Sequence, residues 1–188
     1  MADGEDLVWY SANIPEVFPT HDIIVKSCIK SGFNRNGVCI WVSGKPRFWV
    51  KYGIASEMRG EGRTQAYVAD IVNANPESSF RIPQVYLVFS RGWCGYIVMD
   101  FVQGSTLAQR KKLKGSYDKS DIKAAAAAIQ QLTNIKMPAG TAPGPIGGGR
   151  IGHDFFVECF SELEYPSVKY LEAQINQVCF PFTFITSY

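Results

Sequence analysis

Between residues 38 and 101 the hydrophobic period changes twice, and this restricts the fold more than any other property of the chain. Residues 38–42 alternate as a β-strand, the turn Ser43-Gly44-Lys45-Pro46 reverses the chain, and residues 47–52 form the next strand. From Glu57 the spacing becomes helical: Tyr67, Val68, Ile71 and Val72 recur on one face, and Asn73-Ala74-Asn75-Pro76 marks the end. Residues 84–89 and 95–101 return to strand, joined by Ser90-Arg91-Gly92-Trp93, with Pro83 suited to a strand entrance. Strands, one helix and strands again predict an α+β fold on an antiparallel sheet. Residues 21–29, with Ile23, Ile24, Val25 and Ile29, are also β-prone and extend the meander backwards through a Gly- and Asn-containing turn at 31–37.

At 188 residues and 46% hydrophobic, the chain carries enough apolar material for one globular domain with a sizeable core. Nineteen basic residues against 17 acidic ones produce no field that would recruit nucleic acid or an anionic membrane, and no segment has membrane-spanning length. The cysteines, Cys28, Cys39, Cys94, Cys159 and Cys179, are scattered and odd in number, which supports neither a disulfide framework nor a zinc site. With Asp3, Glu5 and Asp6 standing where a secretory signal needs positive charge, a cytoplasmic protein is expected. Further along, Ile122, Ala125, Ala126, Ile129 and Leu132 mark an alanine-rich helix. Residues 138–149 read as a Gly/Pro loop, and residues 153–176 as helix interrupted at Pro166.

The candidate chemistry begins at Lys51. Side chains alternate along a strand, so Phe48, Val50 and Tyr52 share one face while Trp49 and Lys51 share the other. An edge-strand lysine could snorkel its ammonium into water. The next helix offers an alternative, because Glu61, Gln65, Val68 and Val72 lie at i, i+4, i+7 and i+11 and bring the acid to the end of an expected buried stripe. A carboxylate leaning toward a core needs a partner, and Lys51 is within reach. Glu57, one turn earlier, is the rival acid and falls off that stripe. After strand residues 95–99, Asp100 C=O and Val102 N–H are spaced to read a purine edge, with Met99 closing the slot and Gly104 turning the chain; the same segment could be a plain core strand with a polar end.

Taken in order, FWVKYG, GEGRTQAYV, RIPQVYLVF, GYIVMDFVQGSTL, PAGTAPGPIGGG and HDFF resemble the aminoglycoside-phosphotransferase-like branch of the protein kinase superfamily. The resemblance spans residues 33–176 and is strongest over 48–107. It implies a kinase-like N-lobe at 21–102, after an N-terminal extension at 1–20, and the first helical part of a C-lobe at 103–176. It also implies ATP as cofactor and a small-molecule hydroxyl as phosphate acceptor. Lys51 then holds the α and β phosphates, Glu61 aims it, and Met99, Asp100 and Val102 form the adenine hinge. The turn containing Gly32 and Gly37 would cover the phosphates. Two departures matter: that turn has fewer glycines than the family pattern, and the catalytic-loop Asp and Asn and the second magnesium-binding Asp have no counterpart. The expected protein is therefore a member of that phosphotransferase family truncated before the catalytic loop and inactive as it stands, or else a non-catalytic, pseudokinase-like nucleotide- or protein-binding module. Residues 177–188 form an apolar tail that leaves helical periodicity, as reading through an intron boundary would produce.

Three other patterns carry less. His153-Asp154 is not a catalytic loop, since the position five beyond Asp154 is Cys159. In 144–149 the spacing G-x-x-x-x-G is followed by Arg150-Ile151 where a P-loop needs Lys and Ser or Thr. Arg110, Lys111, Lys112 and Lys114 read as a solvated turn balanced by Asp118 and Asp121.

Overall fold

The computed structural model describes residues 5–33 and 37–179, which fall into two compact units, 1–136 and 137–188. Of the apolar tail expected to leave helical periodicity at 177–188, residues 177–179 instead continue a helix; the rest of it and positions 34–36 of the expected phosphate-covering turn lie outside the described residues. Among the described residues no helix is long and apolar enough to cross a membrane.

The first unit is a five-stranded antiparallel sheet, α+β in class, with strand order β1-β4-β5-β3-β2. Its strands are β1 (Glu5–Tyr10), β2 (Val38–Val42), β3 (Lys45–Ile54), β4 (Val85–Arg91) and β5 (Cys94–Asp100). Strand β1 comes from the segment expected to be an extension, and it pairs along β4.

Residues 21–29, expected as a strand, form α1 (His21–Lys30) instead. The β-branched run favours extended backbone only weakly, whereas several helix signals coincide. The Oγ1 of Thr20 accepts the Ile23 N–H at the N-terminus, Asp22 lies in the first turn and Lys30 in the last. Ile24, Val25 and Cys28 also fall on one helical face and are buried. That face packs on Phe48, Val50, Leu87, Phe89 and Val98. The connection 31–37 therefore joins a helix to a strand and is not a hairpin turn.

The opposite face of the sheet carries α2 (Ala55–Ala74). Its buried residues are Met58, Gly60, Gly62, Ala66, Ala69 and Val72, a stripe of mostly small side chains shifted from the expected Glu61-Gln65-Val68-Val72 line. The small residues seat the helix close to the strands. A Cβ on Gly62 would lie 2.5 Å from a Val88 methyl, and one on Gly95 would lie 2.9 Å from the Ala55 backbone. Glycine in a helix or strand interior costs stability unless such an approach requires it. Beyond α2, the Asn73 side chain brackets Ile82, donating to its carbonyl at 2.8 Å and accepting its N–H at 3.0 Å. This bracket delivers the chain to β4.

Helix α3 (Leu107–Lys114) opens on a capping box of Thr106 and Gln109 and stops at the left-handed Gly115. The basic cluster lies on this helix rather than on a turn, and most of it is engaged locally. Arg110 pairs with Asp121 at 2.9 Å, Lys114 with Asp118 at 3.1 Å, and the Lys111 ammonium sits 4.6 Å over the Tyr117 ring. Helix α4 (Lys119–Thr133) follows, with no buried residue.

In the second unit, residues 153–167 are not the expected helix. Ile151 O accepts the Ser161 N–H, His153 N–H donates to Cys159 O, and Glu158 and Cys159 both adopt positive φ, so the chain folds back on itself. The buried Ser161 hydroxyl accepts the Ile151 N–H and donates to Leu163 O. Helix resumes only past Pro166, as α5 (Val168–Cys179).

Candidate functional site

Strand periodicity sends Trp49 and Lys51 to the α2 side of the sheet, and the register of β3 on β5 sets their neighbours. Trp49 stands opposite Met99 and Lys51 opposite Ile97. Met58, Ala66, Val85, Val88, Ile97 and Met99 form a buried cluster beneath α2, with Trp49 half-buried against it. Lys51 lies beyond the apolar floor, and its ammonium donates to Glu61 Oε1 at 2.5 Å. Glu61 is thus the acid that meets Lys51, rather than Glu57.

Both partners remain open to solvent, with side-chain exposures of 37% and 38%. An ion pair this exposed contributes about 0–1 kcal/mol to stability, because water already solvates both charges and two long side chains lose freedom. Its consequence is positional: the ammonium is held at one point on an accessible face, beside an aromatic and a thioether surface.

One turn after Glu61, Gln65 extends the arrangement. Its amide Nε2 donates to Pro83 O at 3.2 Å and lies 3.3 Å from Met99 Sδ, so the helix that carries the acid is tied both to Met99 and to the entrance of β4. Asp100 closes β5. Its N–H donates to Gln84 O at 3.0 Å, and its carboxylate accepts the Gln84 N–H at 3.1 Å and the Tyr86 hydroxyl at 2.7 Å. Burial, together with this carboxylate, pushes the Tyr86 phenol up to about 12. Val102 lies past the strand, is 65% exposed, and its N–H has no hydrogen-bond partner among the described residues. Of the two backbone groups expected to read a purine edge, the Val102 N–H is unpaired among the described residues, while Asp100, whose C=O was to be the other, is fastened by its N–H to Gln84 just before β4.

The glycines of the 31–37 connection separate. Gly32 adopts a left-handed φ of 69° just past α1, where its N–H bonds to Ile29 O. Gly37 is a packing glycine, since a Cβ there would fall 2.5 Å from the Trp49 indole.

The structure brings Lys51 and Glu61 together and sets Met99 and Asp100 at the end of the neighbouring strand, with Val102 just past it; the contacts of Trp49, Gln65, Gln84, Tyr86 and the Asp100 carboxylate were not expected from the sequence. Trp49 was legible as a sheet-face neighbour of Lys51; the others depend on register. His153, in the second unit, accepts the Phe155 N–H through Nδ1 within its own turn, which leaves it a structural explanation. A hollow of about 420 Å³ between residues 71–75 and 131–136 contains none of the expected site residues. Among the described residues no three His, Cys, Asp or Glu side chains are placed to hold a metal ion. Comparison with protein-family models, with curated proteins and with solved structures returned no match.

Proposed function

We propose that this chain binds a purine nucleotide on the α2 side of its sheet, in the manner of the N-lobe of an aminoglycoside-phosphotransferase-like kinase, and does not itself transfer phosphate. Lys51 holds the α and β phosphates and Glu61 keeps its ammonium aimed. The base lies against the Trp49 indole and Met99, where an aromatic face gains by stacking, and its edge meets the backbone between Asp100 and Val102. The observation that carries this reading is the Lys51–Glu61 pair itself: it is too exposed to matter much for stability, yet it fixes a cation beside an apolar, aromatic surface.

Turnover needs more than the lysine. Phosphoryl transfer relies on an oriented acceptor hydroxyl and on metal-assisted charge stabilisation. No His-x-Asp with the matching Asn, which would orient the acceptor and hold a metal in the family resembled, occurs in the sequence. The acceptor, a small-molecule hydroxyl in the family resembled, is not specified by these residues.

Calorimetric titration of the full chain with ATP, adenosine and tripolyphosphate, in wild type and Lys51→Ala, tests the reading. Losing a charge-assisted hydrogen bond to phosphate should weaken ATP and tripolyphosphate about tenfold or more and leave adenosine nearly unchanged. Absence of binding for all three at millimolar concentration would refute nucleotide recognition. Acceptor-dependent ADP release that disappears in Lys51→Ala would refute the claim of no turnover.

A further inference from the structure

The end of β5 is fastened on both sides before the chain is released. On one flank Asp100 N–H donates to Gln84 O and the Asp100 carboxylate takes the Gln84 N–H and the Tyr86 hydroxyl. On the other flank the Phe101 N–H donates to Arg47 O at 3.2 Å. The next residue, Val102, is exposed and its N–H is unpaired among the described residues.

The pairing of β4 with β5 shifts register here. Val85 faces Met99 and Leu87 faces Val98, which leaves Tyr86 as the extra residue of a bulge. Bulges re-aim side chains and are common beside functional sites. This one brings the Tyr86 hydroxyl to the Asp100 carboxylate where regular ladder bonds give out. Both groups that meet the carboxylate oxygens, the Gln84 N–H and the Tyr86 hydroxyl, are donors, which suits an acceptor. The same entrance of β4 receives Gln65 from α2 through Pro83 O.

We propose that Asp100 is a positioning residue whose carboxylate bolts the exit of β5 to the entrance of β4, presenting the Val102 N–H to the edge of a bound purine. Gln65 extends the bolt to the helix that carries Glu61. The proposal rests on the nucleotide-binding reading above, and it assigns the side chain a task distinct from that of the Asp100 backbone. Holding the backbone in place before ligand arrives removes an ordering cost from binding. The effect should therefore fall on the base and spare the phosphates.

The test compares Asp100→Asn and Tyr86→Phe with wild type in the full chain, following melting temperature, calorimetric affinity for adenosine and for tripolyphosphate, and exchange of the Phe101 amide in ligand-free protein. Asp100→Asn removes the charge and one acceptor oxygen, so the Tyr86 hydroxyl must turn to accept from the new amide or the Gln84 N–H loses its acceptor. It should weaken adenosine about tenfold while tripolyphosphate changes less than about twofold, and it should speed Phe101 exchange about tenfold. Tyr86→Phe removes one of the two carboxylate bonds and should give an intermediate result. Equal weakening of adenosine and tripolyphosphate with a lowered melting temperature would overturn the proposal in favour of a purely structural carboxylate. Unchanged Phe101 exchange would overturn it as well. If wild type binds neither probe, the nucleotide reading fails and the positioning role toward a purine fails with it. Faster exchange in that case would be the sign that the reading of the ligand, not the bolt, was wrong.

Discussion

Replacing Gly62 with alanine separates two physical effects of opposite sign. In an exposed helix interior the change stabilises by about 1 kcal/mol, because glycine loses more backbone freedom on folding. Here the new Cβ would meet Val88 Cγ2 at 2.5 Å, Val88 Cγ1 at 3.2 Å and Ile97 Cγ1 at 3.3 Å. Ordinary carbon contacts lie near 3.5–4.0 Å, so the helix must lift or Val88 must shift by about 1 Å. Overpacking of this kind costs about 1–3 kcal/mol, which outweighs the propensity gain. Gly62→Ala should therefore destabilise by about 1 kcal/mol net in urea unfolding followed by far-UV circular dichroism, with an unchanged m value. Val88→Ala supplies the control: it removes the obstructing methyls, and its own cost should shrink in the Gly62→Ala background, with a coupling of at least about 0.5 kcal/mol. A stabilised Gly62→Ala protein, with additive double-mutant energetics, would refute the seating of α2 on β4 and β5.

Two further outcomes follow from the same structure. Tyr86 has its folded-state value raised from 10.0 to about 12, so its contribution to stability is fully present below pH 10 and is lost as pH rises through 12, since the unfolded chain ionises first; Tyr86→Phe should flatten the fall in stability across that window in alkaline denaturation, and an unchanged slope would count against the buried contact. On α4, Ile122 and Ile129 are 54% and 61% exposed and lie seven residues apart on one helical face; Ile122→Lys with Ile129→Glu should lower light scattering at high concentration with a stability change within about 0.5 kcal/mol, whereas a large loss of stability would mean that this face is covered.

Much of the first unit was legible because its signals are local. Residues 84–101 read as two strands because each run is strongly apolar and bounded by turn residues, and the 55–74 helix because its spacing persists over several turns. Where local preference and packing disagreed, packing decided. Ile23, Ile24 and Val25 look extended one by one, but a capped first turn and a buried Ile24/Val25/Cys28 face make them helix. Strand β1 escaped detection for a different reason: its partner β4 lies some eighty residues away, and pairing over that distance leaves no trace in the spacing of either segment. Residues 153–167 carried enough apolar spacing to suggest a helix, yet hydrogen bonds across Ile151, His153, Cys159 and Ser161 closed a turn first.

The candidate site divides along the same line. Lys51 and Glu61 could be paired from sequence because a period of two fixes the face of the strand and one helical face can reach it. The Asp100 network could not, because it requires knowing that Tyr86 is the bulge residue and that Gln84 comes opposite the end of β5. Gly62 belongs to both classes. Read along the helix, it is a flaw next to the acid; read across the sheet, it sets the height of the helix and with it the height of the neighbouring Glu61 carboxylate above Lys51. A side chain at Gly62 would lift the acid by about the same 1 Å that it forces between α2 and Val88. The precision of the Lys51–Glu61 contact therefore depends less on the pair's own weak attraction than on an absent methyl group beside it.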